Sequence, residues 1–425
     1  MNFVLIINIF FIFFSFLFTY TSFIRVIKYS SRSISDYVIL LIFVFNCLPV
    51  FIDVFFGKPQ YVYYYRVFGD VIDNEDVCLV YNIYILITLL SLQLYANNLS
   101  HNLKIASDYK ITFSFLRKKN LDIIFILLPI IYVVVKYGID IFSGYTTLSR
   151  RNIEDGDSRI INQMIILSVY LYVTRFYSRT RTKKDLLILF SFFLILIWLN
   201  GKRYIIVTIG EVIFYLYQMT NIKSKKRINL FFVVEISIIF IVFFSIYYLS
   251  NIKVTSASEY MYGTLRVDFG RDDVVKYVIK QVLFDKRPIL DYTGQSLLAD
   301  IFIFVPRSIW PNKPYPHYRY LTASILGVDI SNIPSGTTPS IFEMNICNFS
   351  WFGMPITIIV LLILCYLADN TNELREKVVY LLILTNLLTQ ALDAIMILIP
   401  VLVIIIMSKH ANFSFLKKKK IAKMF

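Results

Sequence analysis

Charge is what this sequence has least of: only 17% of its 425 residues are charged, 57% are hydrophobic, and the mean hydropathy is +0.66. A soluble domain needs a polar surface to cover its core, so these values exclude an ordinary water-soluble globule and make lipid the expected solvent. Cysteine is also scarce. Cys47, Cys78, Cys347 and Cys365 have no paired short spacing, which argues against a zinc site and against a disulfide framework. Cys78 and Cys347, both expected near the outer face, are the pair that could meet, and no bond is expected between them. The first twenty residues lack the basic n-region and small-residue cleavage site of a secretory signal, so they read as a first span. Internal repeats and low-complexity segments are missing as well.

What is present is a series of apolar stretches, most of them long enough to cross a bilayer core at about 1.5 Å per residue. They run over 3–24, 37–56, 77–97, 121–142, 160–177, 186–199, 204–219, 228–249, 352–368, 378–392 and 394–407. The last two also read as one broken hairpin. The expected fold class is an all-α polytopic membrane protein of about eleven transmembrane helices.

The basic residues orient these spans. Arg25, Lys28 and Arg32 follow the first, Lys104, Lys110, Arg117, Lys118 and Lys119 the third, and Arg179, Arg181, Lys183 and Lys184 the fifth. Lys223, Lys225, Lys226 and Arg227 follow the seventh, and Lys409, Lys417 to Lys420 and Lys423 lie in the tail. Every second connection is basic, while the intervening ones are acidic or mixed (Asp70, Asp73, Glu75, Asp76; Glu154, Asp155, Asp157). The positive-inside rule then puts the N-terminus on the outer side and the C-terminus on the inner side of an inner membrane. The net charge of +15 is thereby a topology signal with attraction to anionic membrane lipid. No nucleic-acid partner is needed, since that reading requires a surface stripe of cations. The chain divides into helices 1–8 over 1–249, a large periplasmic loop with short helices over 250–351, helices 9–11 over 352–408 and a basic cytoplasmic tail over 409–425.

Unstructured loops longer than about 15 residues are usually functional or disordered, and this one is too aromatic and too rich in placed proline for a floppy linker. It should fold back as short helices, with 295–305 dipping into the membrane interface. It contains Tyr292-Thr-Gly-Gln-Ser296, then Phe304-Val-Pro-Arg-Ser-Ile-Trp-Pro-Asn-Lys-Pro314, then Glu343-Met-Asn-Ile-Cys-Asn-Phe-Ser-Trp-Phe-Gly353. Pro306, Pro311, Pro314 and Pro316 remove donors and fix φ, so Arg307 and Lys313 sit on a stiff frame and can address one anion with little ordering cost. Trp310 between them can anchor at headgroup level or stack on a sugar.

These elements resemble the O-antigen polymerase (Wzy-type) family, which assembles bacterial surface polysaccharide. The resemblance is carried by the Pro-Arg…Trp-Pro-Asn-Lys-Pro stretch, by Glu343 and Asn348-Phe349 before the next span, and by the turn Asn200-Gly-Lys-Arg203 between two spans. One departure is that Ser350, Trp351 and Phe352 separate Asn348-Phe349 from Gly353. The resemblance implies a GT-C-like polymerase/ligase architecture and a metal-independent glycosyltransferase that needs no cofactor. Its substrate would be an undecaprenyl-diphosphate-linked oligosaccharide, joined unit to unit at the periplasmic face, with a chain-length regulator and a flippase as partners.

That chemistry needs preorganised cations for the departing diphosphate and a base for the attacking hydroxyl. Arg203, Arg307 and Lys313 are the candidate clamp, with Arg150, Arg151 and Arg159 for a second lipid diphosphate or sugars and Trp310 beside them. Glu343 is the first candidate base and His317 the second. A DxD-like site is lacking on the outer face, although Asp272-Asp273 is a carboxylate pair worth following. Each choice has a plainer reading: an Arg at a span end is commonly a headgroup anchor, Glu343 could cap a helix, and His317 could be an ordinary loop residue. The tyrosines of 61–65 suit an interfacial belt or sugar stacking. An O-antigen ligase would carry His-Ser/Thr-Leu in the large loop, whereas Tyr318 and Arg319 follow His317. Glu211 and Glu235, inside apolar stretches, are what a transporter of polysaccharide or lipid-linked sugar would need.

Overall fold

In the computed structural model the described residues are 3–29, 33–59, 61, 66–99, 121–142, 153, 155–177, 183–201, 203–224, 266, 270–333, 336–371 and 373–407. All regular elements among them are helical. In chain order they are α1 (Phe3–Tyr29), α2 (Ile34–Ile42), α3 (Leu48–Phe56), α4 (Arg66–Ile72), α5 (Glu75–Leu99) and α6 (Leu121–Tyr137). Next come α7 (Asp155–Tyr177), α8 (Lys183–Asn200), α9 (Arg203–Ser224), α10 (Asp272–Val278), α11 (Gln295–Ile301) and α12 (His317–Leu326). The chain continues with α13 (Ile341–Phe349), α14 (Gly353–Asn370), α15 (Leu374–Thr389) and α16 (Leu398–Met407). Among the described residues, four stretches are long and apolar enough to cross a membrane: Phe3–Ile27, Ile34–Phe56, Glu75–Leu99 and Ile341–Asn370.

The apolar stretches read from the sequence coincide with helices, apart from 228–249 and the basic tail, which lie outside the described residues. Two boundaries differ for physical reasons. The helix expected from 160 starts at Asp155, where Asp157 faces the helix N-terminal dipole and accepts from Tyr132, Tyr137 and Lys136 of α6. The last two stretches are parted by a break from Gln390 to Ile397, part of it a tight 3-10 turn (Leu392–Ile395).

Lipid-type packing is visible in α1 and α5. The outward face of α1 carries exposed Phe10, Phe13, Leu17 and Tyr20, while Ser15, Thr19 and Ser22 are buried. Ser15 and Thr19 return their hydroxyl protons to carbonyls one turn back, Ser22 Oγ donates to Gln93 Oε1 at 2.8 Å, and Asn82 Nδ2 donates to Asn8 Oδ1 at 3.0 Å. Where the surrounding solvent is apolar, polar side chains belong between helices, and these contacts place them there. Every residue of α15 is buried, which makes it the central helix.

One proline shapes the junction of α2 and α3. Pro49 has no amide proton, so the helix widens to a π-turn over Phe43–Cys47 and Phe45 O is left without its usual i+4 donor. The amide of Arg271 fills it at 3.0 Å. Arg271 also donates to Thr338 O and Thr389 O, each at 2.7 Å, and so ties α2–α3, the loop and the end of α15 together.

Polar contacts sort the helix ends into two groups. At one end Arg25 holds Asp36 at 2.6 Å and Asn97 at 2.7 Å, Gln218 donates to Val26 O, and Asp369 accepts from Ser33, Ser35 and the amide of Ile34. Lys377 reaches Ala368 O at the same end. At the opposite end lie Asp53, the N-terminus of α5, the α6–α7 contact around Asp157, and α10 to α13. All four cysteines are free.

Candidate functional site

The proline frame is built as a run of tight turns. Val305 N donates to Phe302 O at 3.0 Å, Trp310 N to Pro306 O at 3.1 Å and Lys313 N to Trp310 O at 3.1 Å. The side chains lock it. Lys313 Nζ donates to Ile303 O and Val305 O, both at 3.1 Å, and Arg307 Nη2 donates to Pro314 O at 3.1 Å. The Arg307 guanidinium lies 4.2 Å from the Tyr315 ring centre, and Trp310 meets Phe302 edge-on at 5.6 Å. Both cations thus hold their own hairpin first. An Arg has five N–H donors and a Lys three, so each retains donors for an anion.

This hairpin lies beside the start of α7. Burial, then Arg159 and Arg307, hold the Lys313 ammonium below its ordinary range, so three of the sequence-chosen cations act on one another. Next to them is a group the sequence reading passed over. Asp300, on the buried side of α11, has an Oδ2 with no hydrogen-bond partner among the described residues. Burial, followed by the charge of Asp393, pushes its carboxyl well above the usual range, while Lys313 and Arg159 pull the other way.

Asp393 occupies the turn between α15 and α16. Its carbonyl accepts from Gln163 Nε2 of α7 at 3.2 Å, and its carboxylate acts on Tyr204, the second residue of α9. The Asn200–Arg203 turn therefore borders the same place, with Asn200 Nδ2 bonded to Asn162 Oδ1 at 2.6 Å. Arg203 begins α9, and its side chain lies outside the described residues, as do Arg150 and Arg151 entirely. Two carboxyls that resist ionising together place an acid beside a base. With three cations adjacent, the group can hold an anion and accept a proton. The signal that could have found it is an Asp at a break between two apolar stretches, together with Ser296 and Asp300 four residues apart on one helix face.

The two sequence-chosen bases are placed differently. Glu343 is fully buried at the start of α13, where its Oε1 accepts from the Ser340 amide at 2.6 Å and its Oε2 from the Ser340 hydroxyl. With the Ser340 hydroxyl accepting from the Phe342 amide at 3.3 Å, this is a capping box. Both of its oxygens are engaged locally. His317 opens α12, wholly buried, with neither ring nitrogen bonded among the described residues. Burial pushes its pKa down to about 3, so the imidazole is neutral at neutral pH. Asn348 donates to Ser296 Oγ at 2.6 Å and so fixes α11 against α13. Gly353 is forced to be glycine, since a Cβ there would strike the backbone of Asn345 and Ile346. Among the residues kept for a transporter, Glu211 accepts from Thr385 Oγ1 of α15, and Glu235 lies outside the described residues.

Asp272-Asp273 heads a buried network at the same end of the molecule. Arg266 lays its fork across Asp53 of α3 (Nε–Oδ1 2.8 Å, Nη2–Oδ2 2.7 Å) and across Asp272 (2.9 and 2.8 Å), with Asp273 at 3.4 Å. Lys276 Nζ donates to Asp272 Oδ2 at 2.8 Å and stands 4.9 Å from the Tyr81 ring centre. Tyr61 Oη donates to Asp273 Oδ2 at 2.8 Å. Burial is outweighed at Asp272 by Arg266 and Lys276, which hold it at about 2. At Asp273 burial wins against Arg266 and, with the neighbouring Asp272 charge, pushes the carboxyl up to about 7. The carboxylate pair and the first tyrosine of 61–65 are thus engaged in a structural clasp.

Gly270 makes that clasp fit. A Cβ there would collide with Arg266 Nη1 and lie 2.7 Å from Arg266 O and 2.9 Å from Asp272 Oδ1. Gly270→Ala is expected to cost about 1–3 kcal/mol of stability through overpacking, read as a lower midpoint of thermal unfolding in detergent. An unchanged midpoint would mean that Arg266 has room to move aside.

No family model matches the chain, and no curated protein or solved structure matches it either. The class that the fold itself defines is, among the described residues, an all-helical one with several helices able to cross a membrane.

Proposed function

We propose that the chain polymerises lipid-diphosphate-linked oligosaccharide units at the periplasmic face of the bacterial inner membrane. The observation that carries this reading is that Arg159 and Lys313 act on the buried Asp300 together with Asp393, that Arg307 acts on Lys313 in turn, and that Asp393 also acts on Tyr204 beside the turn leading to Arg203. In this reading the protein has about eleven spans in a GT-C-like arrangement, with the basic connections in the cytoplasm. The sorting of Arg25, Asn97, Gln218, Asp369 and Lys377 to one end, and of the proline hairpin to the other, supports that orientation.

The spare donors of Arg307 and Lys313, with Arg159, take the diphosphate of the donor lipid and stabilise the charge that grows on it as the glycosyl bond breaks. The ionised member of the carboxyl pair accepts the proton of the attacking sugar hydroxyl, while the other stays protonated. The pair takes the role of base because the oxygens of Glu343 are committed to the Ser340 cap.

The test is a gene deletion read on a gel of surface polysaccharide. Lipopolysaccharide capped with a single repeat unit is expected, whereas a complete loss of O-antigen with export intact would make the protein a ligase. Arg307→Ala should remove the ladder at unchanged protein level, and a wild-type ladder would remove Arg307 from the site. Reporter fusions after Lys119 and after Asn312 should report opposite sides of the membrane; the same side for both would overturn the orientation.

A further inference from the structure

The helix α11 is amphipathic the wrong way round for water. Gln295, Ser296, Ala299 and Asp300 are buried, whereas Leu298, Ile301 and the following Phe302 face outward. Three and four residues apart, these apolar side chains form one continuous face. The hairpin that follows adds Phe304 and Ile309, so Ile301, Phe304 and Ile309 are 58%, 61% and 75% exposed. In water such a patch costs free energy at every exposed apolar residue.

The height of this patch is marked independently. Ser296 is bonded to Asn348 at 2.6 Å, and three residues beyond Asn348 come exposed Trp351 and Phe352, at the entry to the apolar helix α14. Aromatic side chains at the end of an apolar helix mark the boundary between hydrocarbon and headgroups. The rim of the patch is cationic: Arg307 and Lys313 are on the same hairpin as Phe304 and Ile309, with half-buried Trp310 between. An apolar face, an aromatic boundary and a cationic rim match, in that order, acyl chains, the interface and lipid phosphates.

We propose that the segment from Gln295 to Lys313 is a membrane-interface seat, its apolar face sunk in the outer leaflet of the bilayer and its rim cations at the phosphate level. The occupant of the face is lipid. The seat turns the Asp300 side of α11 away from hydrocarbon and holds Arg307 and Lys313 at the depth where a lipid-borne diphosphate resides. This inference depends on the protein residing in a bilayer and not on the polymerase chemistry, so the two can fail separately.

The experiment uses the full chain in a Cys347→Ser background, reconstituted in vesicles of phosphatidylethanolamine and phosphatidylglycerol. Phe304→Cys, Ile309→Cys and, as polar comparison, Asn312→Cys are labelled in turn with an environment-sensitive fluorophore. Ile309 and Asn312 are exposed and make few demands on the fold, so these substitutions should leave the protein intact. At positions 304 and 309, nitroxide-bearing lipid should quench the label and aqueous iodide should not; at 312 the order should reverse. Iodide quenching at all three positions would show that the face meets water and overturn the proposal. Protection from both quenchers at 304 and 309 would overturn it too, since a second copy of the protein would then cover the face. In either case the polysaccharide ladder remains a separate measurement.

Discussion

Arg266→Ala should destabilise the protein by about 3–5 kcal/mol, because it leaves the carboxyls of Asp53, Asp272 and Asp273 buried with, among the described side chains, Lys276 and Tyr61 to answer them. Its effect should exceed that of removing any surface ion pair, since exposed pairs are worth only about 0–1 kcal/mol. The expected readout is a large fall in the thermal midpoint in detergent together with rapid proteolysis in the 270–340 stretch. Arg266→Lys should recover only part of the loss, because an ammonium cannot bridge two carboxylates through a planar fork. Adding Asp53→Asn to Arg266→Ala should restore some stability by removing one stranded charge. Equal stability of Arg266→Ala and the parent protein would show that the clasp does not hold the loop to α3.

Asp300→Asn should abolish chain extension while leaving the fold as stable as before or more so. The amide has nearly the same shape as the carboxyl, and it removes the repulsion with Asp393 that helps to raise the carboxyl of Asp300. A loss of activity from this variant therefore cannot be put down to misfolding, and the thermal midpoint checks this directly. General-base contributions are commonly about 10²–10⁴-fold, enough to collapse the polysaccharide ladder to single units. Asp393→Asn should behave in the same way, since Asp393 is the carboxylate whose charge acts on Asp300 and is left to accept the proton while Asp300 stays neutral. If Asp300→Asn extended chains at the parent rate, the carboxyl pair would have no part in proton transfer.

The candidate site was legible in its cations and not in its carboxylates. Arg307 and Lys313 announce themselves through the prolines around them, since a stiff local frame is encoded by neighbours in sequence. Arg159 was one of several outer arginines, and only packing of α7 against the turn at Asp393 brings it to the hairpin. Glu343 had two readings from sequence, and Ser340 three residues before it carries the capping-box signature. Asp300 sits in a short helix whose polar face resembles a surface face until its burial is known. Arg266 stands 213 residues from Asp53, and no local pattern connects them.

By itself the sequence determined where apolar helices form and which connections carry the positive charge, because hydropathy and loop charge act over tens of neighbouring residues through the solvent. Only the tertiary structure decided which charges are paired, which carboxyl is left with an open oxygen and which side of α11 faces outward. Those depend on the approach of segments far apart in the chain, where burial removes water from a group and its partner must come from another helix.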